Sequence, residues 1–205
     1  MIPLIDGRIH HFGHRGLYNG LSILGDHRTG SYWDHITGEC VHGPLQGHRM
    51  QTGPLIHTTA GRAVDDNYKT VLAVSRPGLF GRCMGRIAEW TRLTRRGFLP
   101  PGFRRTMGPV DARLPEMQLG LGVWTDRVQR FYPIEDIASH PDGALADFVD
   151  PHDIIVGIDL RTRIPYAEYA NHRTDSTGPR RRPMQLMTRW YGFCLTFPDC
   201  EIYRR

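Results

Sequence analysis

Eight of the 11 histidines fall in the first 57 residues, at His10, His11, His14, His27, His35, His42, His48 and His57. Imidazole binds zinc, copper and nickel near neutral pH, so a few such residues on convergent strands would hold a divalent transition metal. His27, His35 and His42 are the candidate ligands, the last two on neighbouring predicted strands. None follows a known ligand spacing such as HExxH or HxH, and the plain alternative is a scatter of surface histidines. Asp26 and Glu39 are the carboxylates for acid–base work, if a hairpin brings them within reach. Cys40 stands between Glu39 and His42, which offers a Cys–His couple in place of an inert buried strand cysteine.

The run Asp26-x-x-Thr29-x-Ser31-x-Trp33 also has a structural account. Asp26 caps a turn, Thr29 and Ser31 satisfy its backbone groups, and Trp33 anchors the next strand in the core. Around it, short apolar pieces alternate with Gly, Asn, Asp and Pro, which predicts strands near Arg8–Phe12, Leu21–Leu24, Ser31–Asp34 and Glu39–His42. Gly43-Pro44 makes the next break. Between Pro77 and Pro101, apolar Phe80, Met84, Ile87, Trp90 and Leu93 recur at helical spacing among arginines. Residues 102–116 read as a linker. A second β-rich part follows, with strands at Leu119–Trp124, Val128–Tyr132, Asp153–Leu160 and Ile164–Tyr169 and a short helix from Pro133 to Ser139. Asn171 to Pro183 is polar and basic, a candidate for local disorder. The chain closes on an aromatic segment, Trp190 to Tyr203, whose end is expected to be tied down.

A chain of 205 residues buries one substantial core. Its longest apolar runs fall well short of the roughly 18–20 residues of a membrane span. Four widely spaced cysteines form no CxxC pair and read as free thiols. The net charge of +5 raises nucleic acid as a partner, through residues 76–105 and 180–182. Lys69 is the only lysine among the 26 basic residues, however, a bias that points to genome composition. The start, MIPLIDGRIHHFGHRG, lacks the charged and apolar regions of a secretory signal, so the expected address is cytoplasmic, or extracytoplasmic if a signal segment lies upstream.

The segment Phe12 to Gly47 resembles the domain of unknown function 3179 family. The resemblance rests on Leu17-Tyr18-Asn19, on Asp26 with Thr29, Ser31 and Trp33, on Thr37-Gly38-Glu39, and on Gly43-Pro44-Leu45 with Gly47. Leu121-Gly122-Val123, Tyr132-Pro133, and Trp190, Phe193 and Pro198-Asp199 extend it. The resemblance implies two related halves, each ending in an aromatic closing segment, here Thr58–Ala73 and Thr188–Arg204. In the first of these, Ala60 and Ala63 replace the aromatic residues and Tyr68 replaces the proline. The resemblance also implies a Cys-Pro-x-Cys segment upstream, so that Met1 falls inside the family domain. It further implies a second Asp-x-x-Thr-x-Ser-x-Trp element after Tyr166, a place taken here by the basic loop. It carries no activity.

The expectation is a mainly β (α+β) single domain over 1–205: a first β-rich half (1–75), a basic amphipathic helix and linker (76–118), and a second β-rich half (119–205) sharing its core. Its expected function is that of a non-catalytic or degenerate binding module. The alternatives are a metal-dependent enzyme using the N-terminal histidines and an Arg-rich nucleic-acid-binding protein.

Overall fold

Strands dominate the protein, in a computed structural model that describes residues 2–65, 71, 78–91, 99, 101–170 and 182–204, with the backbone alone at 80, 84, 88–91 and 101. In the first half, β1 (Leu4–Ile5) and β2 (Arg8–Ile9) form a two-stranded ribbon. β3 (Phe12–Tyr18), β4 (Leu21–Asp26), β5 (Tyr32–Asp34) and β6 (Cys40–His42) follow as an antiparallel meander. The helices α1 (Ala60–Asp65), α2 (Leu79–Thr91) and α3 (Pro101–Arg104) occupy the middle. In the second half, β7 (Leu119–Trp124), β8 (Gln129–Pro133), α4 (Ile134–Ala138), β9 (Ala144–Val149), β10 (His152–Ile158), β11 (Pro165–Tyr169), β12 (Met184–Arg189), α5 (Trp190–Thr196) and β13 (Glu201–Ile202) build two sheets, ordered β12-β7-β8-β13 and β11-β10-β9. No helix among the described residues is long and apolar enough to cross a membrane.

The mainly β expectation holds, but the core is divided. Ile5, Trp33, Cys40 and Met50 form a small cluster in the first half. Leu121, Tyr132, Ile137, Ile154 and Val156 belong to a large one in the second, and Phe131, Trp190, Phe193, Cys194 and Cys200 to a third. One shared core is therefore too simple a picture. The halves meet along a seam, where Asn19 donates its side-chain amide to the Leu195 carbonyl at 3.2 Å and its backbone N–H to Thr106 at 2.9 Å.

The aromatic closing segment is helical. Phe193 on α5 lies against β7 so closely that a Cβ on Gly122 would come within 2.2 Å of its ring. This close approach accounts for a small residue at that position and a large one on the facing helix. α5 buries Trp190, Tyr191, Gly192, Phe193 and Cys194, and β13 beyond it pairs in parallel with β8, tying the end down. α1, in the corresponding place of the first half, carries Ala60 and Ala63 where α5 carries Trp190 and Phe193, and it buries nothing. The aromatic side chains are what seat the helix, so replacing them by alanine leaves it on the surface.

α2 lies inside the expected helix, and its described side chains, Arg82, Cys83, Arg86 and Ile87 among them, are exposed. Phe80, Met84 and Trp90 are described by backbone alone. Leu93, Tyr68 and the basic segment from 171 to 181 lie outside the described residues.

Candidate functional site

The signature folds as a pair of matching turns. Asp26-His27-Arg28-Thr29-Gly30 and Asp34-His35-Ile36-Thr37-Gly38 repeat at a spacing of eight residues. In each, the aspartate amide bonds to the carbonyl five residues on (Ser31 and Glu39, both 2.9 Å), and the glycine amide returns to the aspartate carbonyl at 2.9 and 3.0 Å. Gly30 and Gly38 take φ of +72° and +75°, the left-handed position that closes a turn of this type. Asp26 Oδ1 accepts from the Arg28 amide at 3.0 Å, and Asp34 Oδ1 from the amides of Ile36 and Thr37 at 2.7 and 3.1 Å.

A third copy joins β10 to β11. Asp159 bonds to the Ile164 carbonyl, its Oδ1 accepts from Arg161 and Thr162 at 2.9 Å each, and Arg163 takes φ of +60°. The same turn chemistry is carried here by Asp159-x-x-Thr162-x-Ile164-x-Tyr166. Isoleucine takes the place that serine has in the first turn, and tyrosine the place of tryptophan. The eight-residue repeat in the first half was open to inspection in the sequence.

Asp26 differs from its counterparts in burial. It is fully inaccessible, and its Oδ2 accepts from the Thr29 hydroxyl at 2.6 Å and contacts His10 Nδ1 at 2.8 Å. Ser31, also inaccessible, extends the chain: its Oγ lies 2.8 Å from that of Thr29 and accepts from the Leu45 amide. Burial by itself raises the Asp26 pKa. The Thr29 hydroxyl, the Arg28 amide and the His10 imidazole outweigh it and hold the carboxyl down at about 2.

A folded pKa below the unfolded one stabilises the protein above about pH 4, and the stabilisation disappears as pH falls through 2. Urea unfolding between pH 5 and pH 2 is expected to show a loss of roughly 2 kcal/mol that is absent from Asp26→Asn. Identical acid limbs for the two proteins would remove Asp26 as the titrating group.

The other candidates are dispersed. Glu39 is exposed and faces Arg49 at 3.9 Å, sharing no contact with the buried Asp26. His27 is exposed, with its ring over Gly13, and exposed His42 leans on the Tyr32 ring with centroids 5.7 Å apart. Nδ1 of His35 is buried with no hydrogen-bond partner. The proposed ligands thus do not converge: successive residues of twisted strands and turns point to different faces, and no three His, Cys, Asp or Glu side chains among the described residues are grouped as a metal site. Cys40 is buried, burial raises its pKa, and its thiol donates to the His42 carbonyl at 3.4 Å rather than to the ring. This is the structural cysteine and not an activated couple.

What sequence reasoning missed is a groove of about 700 Å³ between the halves. Thr37, Glu39 and Arg49 line it from the first half, with Trp124, Arg127 and His152 among those facing them from the second. The second turn brings Thr37 and Glu39 there, and β10 with the end of β7 positions the opposite wall. The T-shaped contact of His152 with Tyr169, centroids 4.7 Å apart, stiffens that wall. A smaller cleft of about 200 Å³ lies by the third turn, where Arg62 pairs with Asp159 and Arg182 with Glu168 at 3.1 Å. No local spacing marks either cavity, since each is assembled from residues over 100 positions apart.

No curated protein and no solved structure matches the chain. One family model does, over residues 3–190, a span that contains all three turns, the start of α5 and most of the groove lining, with Thr196, Phe197, Pro198 and Asp199 beyond it. The chain belongs to the family described as Protein of unknown function (DUF3179).

Proposed function

We propose that the protein is a non-catalytic binding module whose ligand lies in the groove between the two β-rich halves. The groove itself is the observation that carries this reading: its volume of about 700 Å³ is that of a small-molecule or short-chain site, and it combines charged groups of both signs with aromatic walls. The acid and hydroxyl groups of the signature favour binding over catalysis, because Asp26, Thr29 and Ser31 are committed to one another and to the turn. A reacting group must be free to meet its substrate.

A library of small polar and apolar fragments, followed by backbone amide and side-chain resonances, tests the reading without knowledge of the natural ligand. The expected result is clustering of hits on Arg49, Trp124, Arg127 and His152, with binding weakened at least several-fold by Arg127→Ala, a substitution at an exposed side chain. Clustering around Arg62 and His57 in the smaller cleft, or no clustering at all, counts against the groove.

A further inference from the structure

One face of the first sheet carries a row that runs straight across its four strands. Gly13, Gly25, Tyr32 and His42 are successive register partners on β3, β4, β5 and β6. Trp33 and Cys40 enter the core from the other face, so strand alternation turns Tyr32 and His42 outward. At the two glycines the row is low enough for side chains to lie on the backbone. Arg15 lies across Gly25, where a Cβ would collide with its Cγ, and His27 stands over Gly13 with Nε2 2.7 Å from where a Cβ would be. Beside them the Tyr32 and His42 rings pack with centroids 5.7 Å apart, tilted by 40°. Arg15, His27, Tyr32 and His42 are all exposed.

The makeup of the row selects a class of ligand. It contains no carboxylate and no side-chain amide, and Asp34, two residues along β5 from Tyr32, has its Oδ1 engaged by the amides of Ile36 and Thr37. A sugar, whose hydroxyls call for such acceptors, is poorly served. A compact phosphate meets one permanent charge, that of Arg15. A single strand of nucleic acid uses every group present: bases stack on rings carried by a sheet, and phosphates meet a guanidinium and an imidazole N–H. His27 and His42 stand at opposite ends, three strand spacings or about 14 Å apart, too far to share a metal ion. A four-stranded sheet of that width accommodates two or three stacked bases.

We propose that this row binds single-stranded nucleic acid, with bases stacking on Tyr32 and His42 and the backbone held by Arg15 and His27. None of these four residues lines the groove, so the two readings stand or fall independently.

The experiment titrates the full chain into a labelled twelve-nucleotide RNA strand of unpaired sequence at several salt concentrations, read by fluorescence anisotropy, with resonance mapping on the unmodified protein. Saturable binding at ~50 mM salt is expected, with shifts at the rings of His27, Tyr32 and His42. Tyr32→Ala is expected to weaken it at least fivefold and Tyr32→Phe to leave it within about twofold, neither changing the slope of log affinity against log salt. Arg15→Ala is expected to flatten that slope by about 0.7, the contribution of one phosphate contact on a single strand. The same strand annealed to its complement hides its bases and is expected to bind at least fivefold more weakly. No binding at ~50 mM salt, undiminished binding by Tyr32→Ala, a duplex bound as tightly as the single strand, or shifts confined to Arg82 and Arg86 of α2 overturns the proposal. The resonance map and the duplex comparison use the unmodified protein, so they decide even where a variant does not fold.

Discussion

Trp33→Ala is expected to lower the unfolding free energy by about 3–5 kcal/mol, the usual cost of deleting a large buried aromatic ring. Trp33 has no accessible surface and meets Phe12 edge-on, with centroids 6.0 Å apart. It is the largest member of a cluster whose other buried members among the described residues are Ile5, Cys40 and Met50, so the cavity has few neighbours able to collapse into it. The indole N–H has no partner, which means the ring acts through packing and not through a hydrogen bond.

Trp33→Phe should therefore cost distinctly less than Trp33→Ala, since it keeps most of the contact and removes an unsatisfied donor. Urea unfolding of the three proteins measures the difference. Hydrogen exchange locates it: the second-half clusters do not include Trp33, so protection should fall first in β4, β5 and β6. An unchanged midpoint for Trp33→Ala would show that the ring does not anchor this core.

Asp26→Ala is expected to cost a similar amount, about 3–5 kcal/mol, whereas Asp34→Ala in the matching turn costs about 1 kcal/mol. Both aspartates receive amides of their own turn. At Asp26 the removal also strands the buried His10 ring and takes away one acceptor of the Thr29 hydroxyl, which keeps Ser31 Oγ, and an unsatisfied buried group costs roughly 1–3 kcal/mol. At Asp34, which is only half-buried, the amides of Ile36 and Thr37 can turn to solvent. The pair of variants thus isolates what burial adds to a shared motif. Equal costs would reduce Asp26 to a turn cap, and a stabilised Asp26→Ala would mean that the carboxylate is held at the expense of stability, as functional groups are. That last result would reopen an acid–base role for it.

The strands β4, β5 and β6 were legible because each is a short apolar piece closed by a turn whose residues have local chemistry. β3 was less so. Phe-Gly-His-Arg-Gly-Leu-Tyr has two glycines and two basic residues, and it becomes a strand by pairing with β4 around an irregularity between His14 and Gly16. α5 runs against its own composition. Trp-Tyr-Gly-Phe-Cys-Leu-Thr is rich in strand formers, and it is helical because its rings fit against Gly122 and Phe131. Among the candidate residues, Asp26, Thr29 and Trp33 were placed correctly in their turn-and-core roles by type and spacing, while His27, His35 and His42 went to three separate surroundings.

Short-range chemistry makes the three aspartate turns, because a carboxylate bonding to the amide two residues ahead and a residue at positive φ are matters of local geometry. What each turn does depends on the partners that packing brings to it. His10 on Asp26 makes a buried polar chain, Arg62 on Asp159 closes the smaller cleft, and the turn at Asp34 borders the groove and leaves His35 Nδ1 unpartnered beside Trp124 and Leu186. Those partners come from 16 to about 150 residues away, and their meeting depends on how the sheets pack, which no short window of sequence contains.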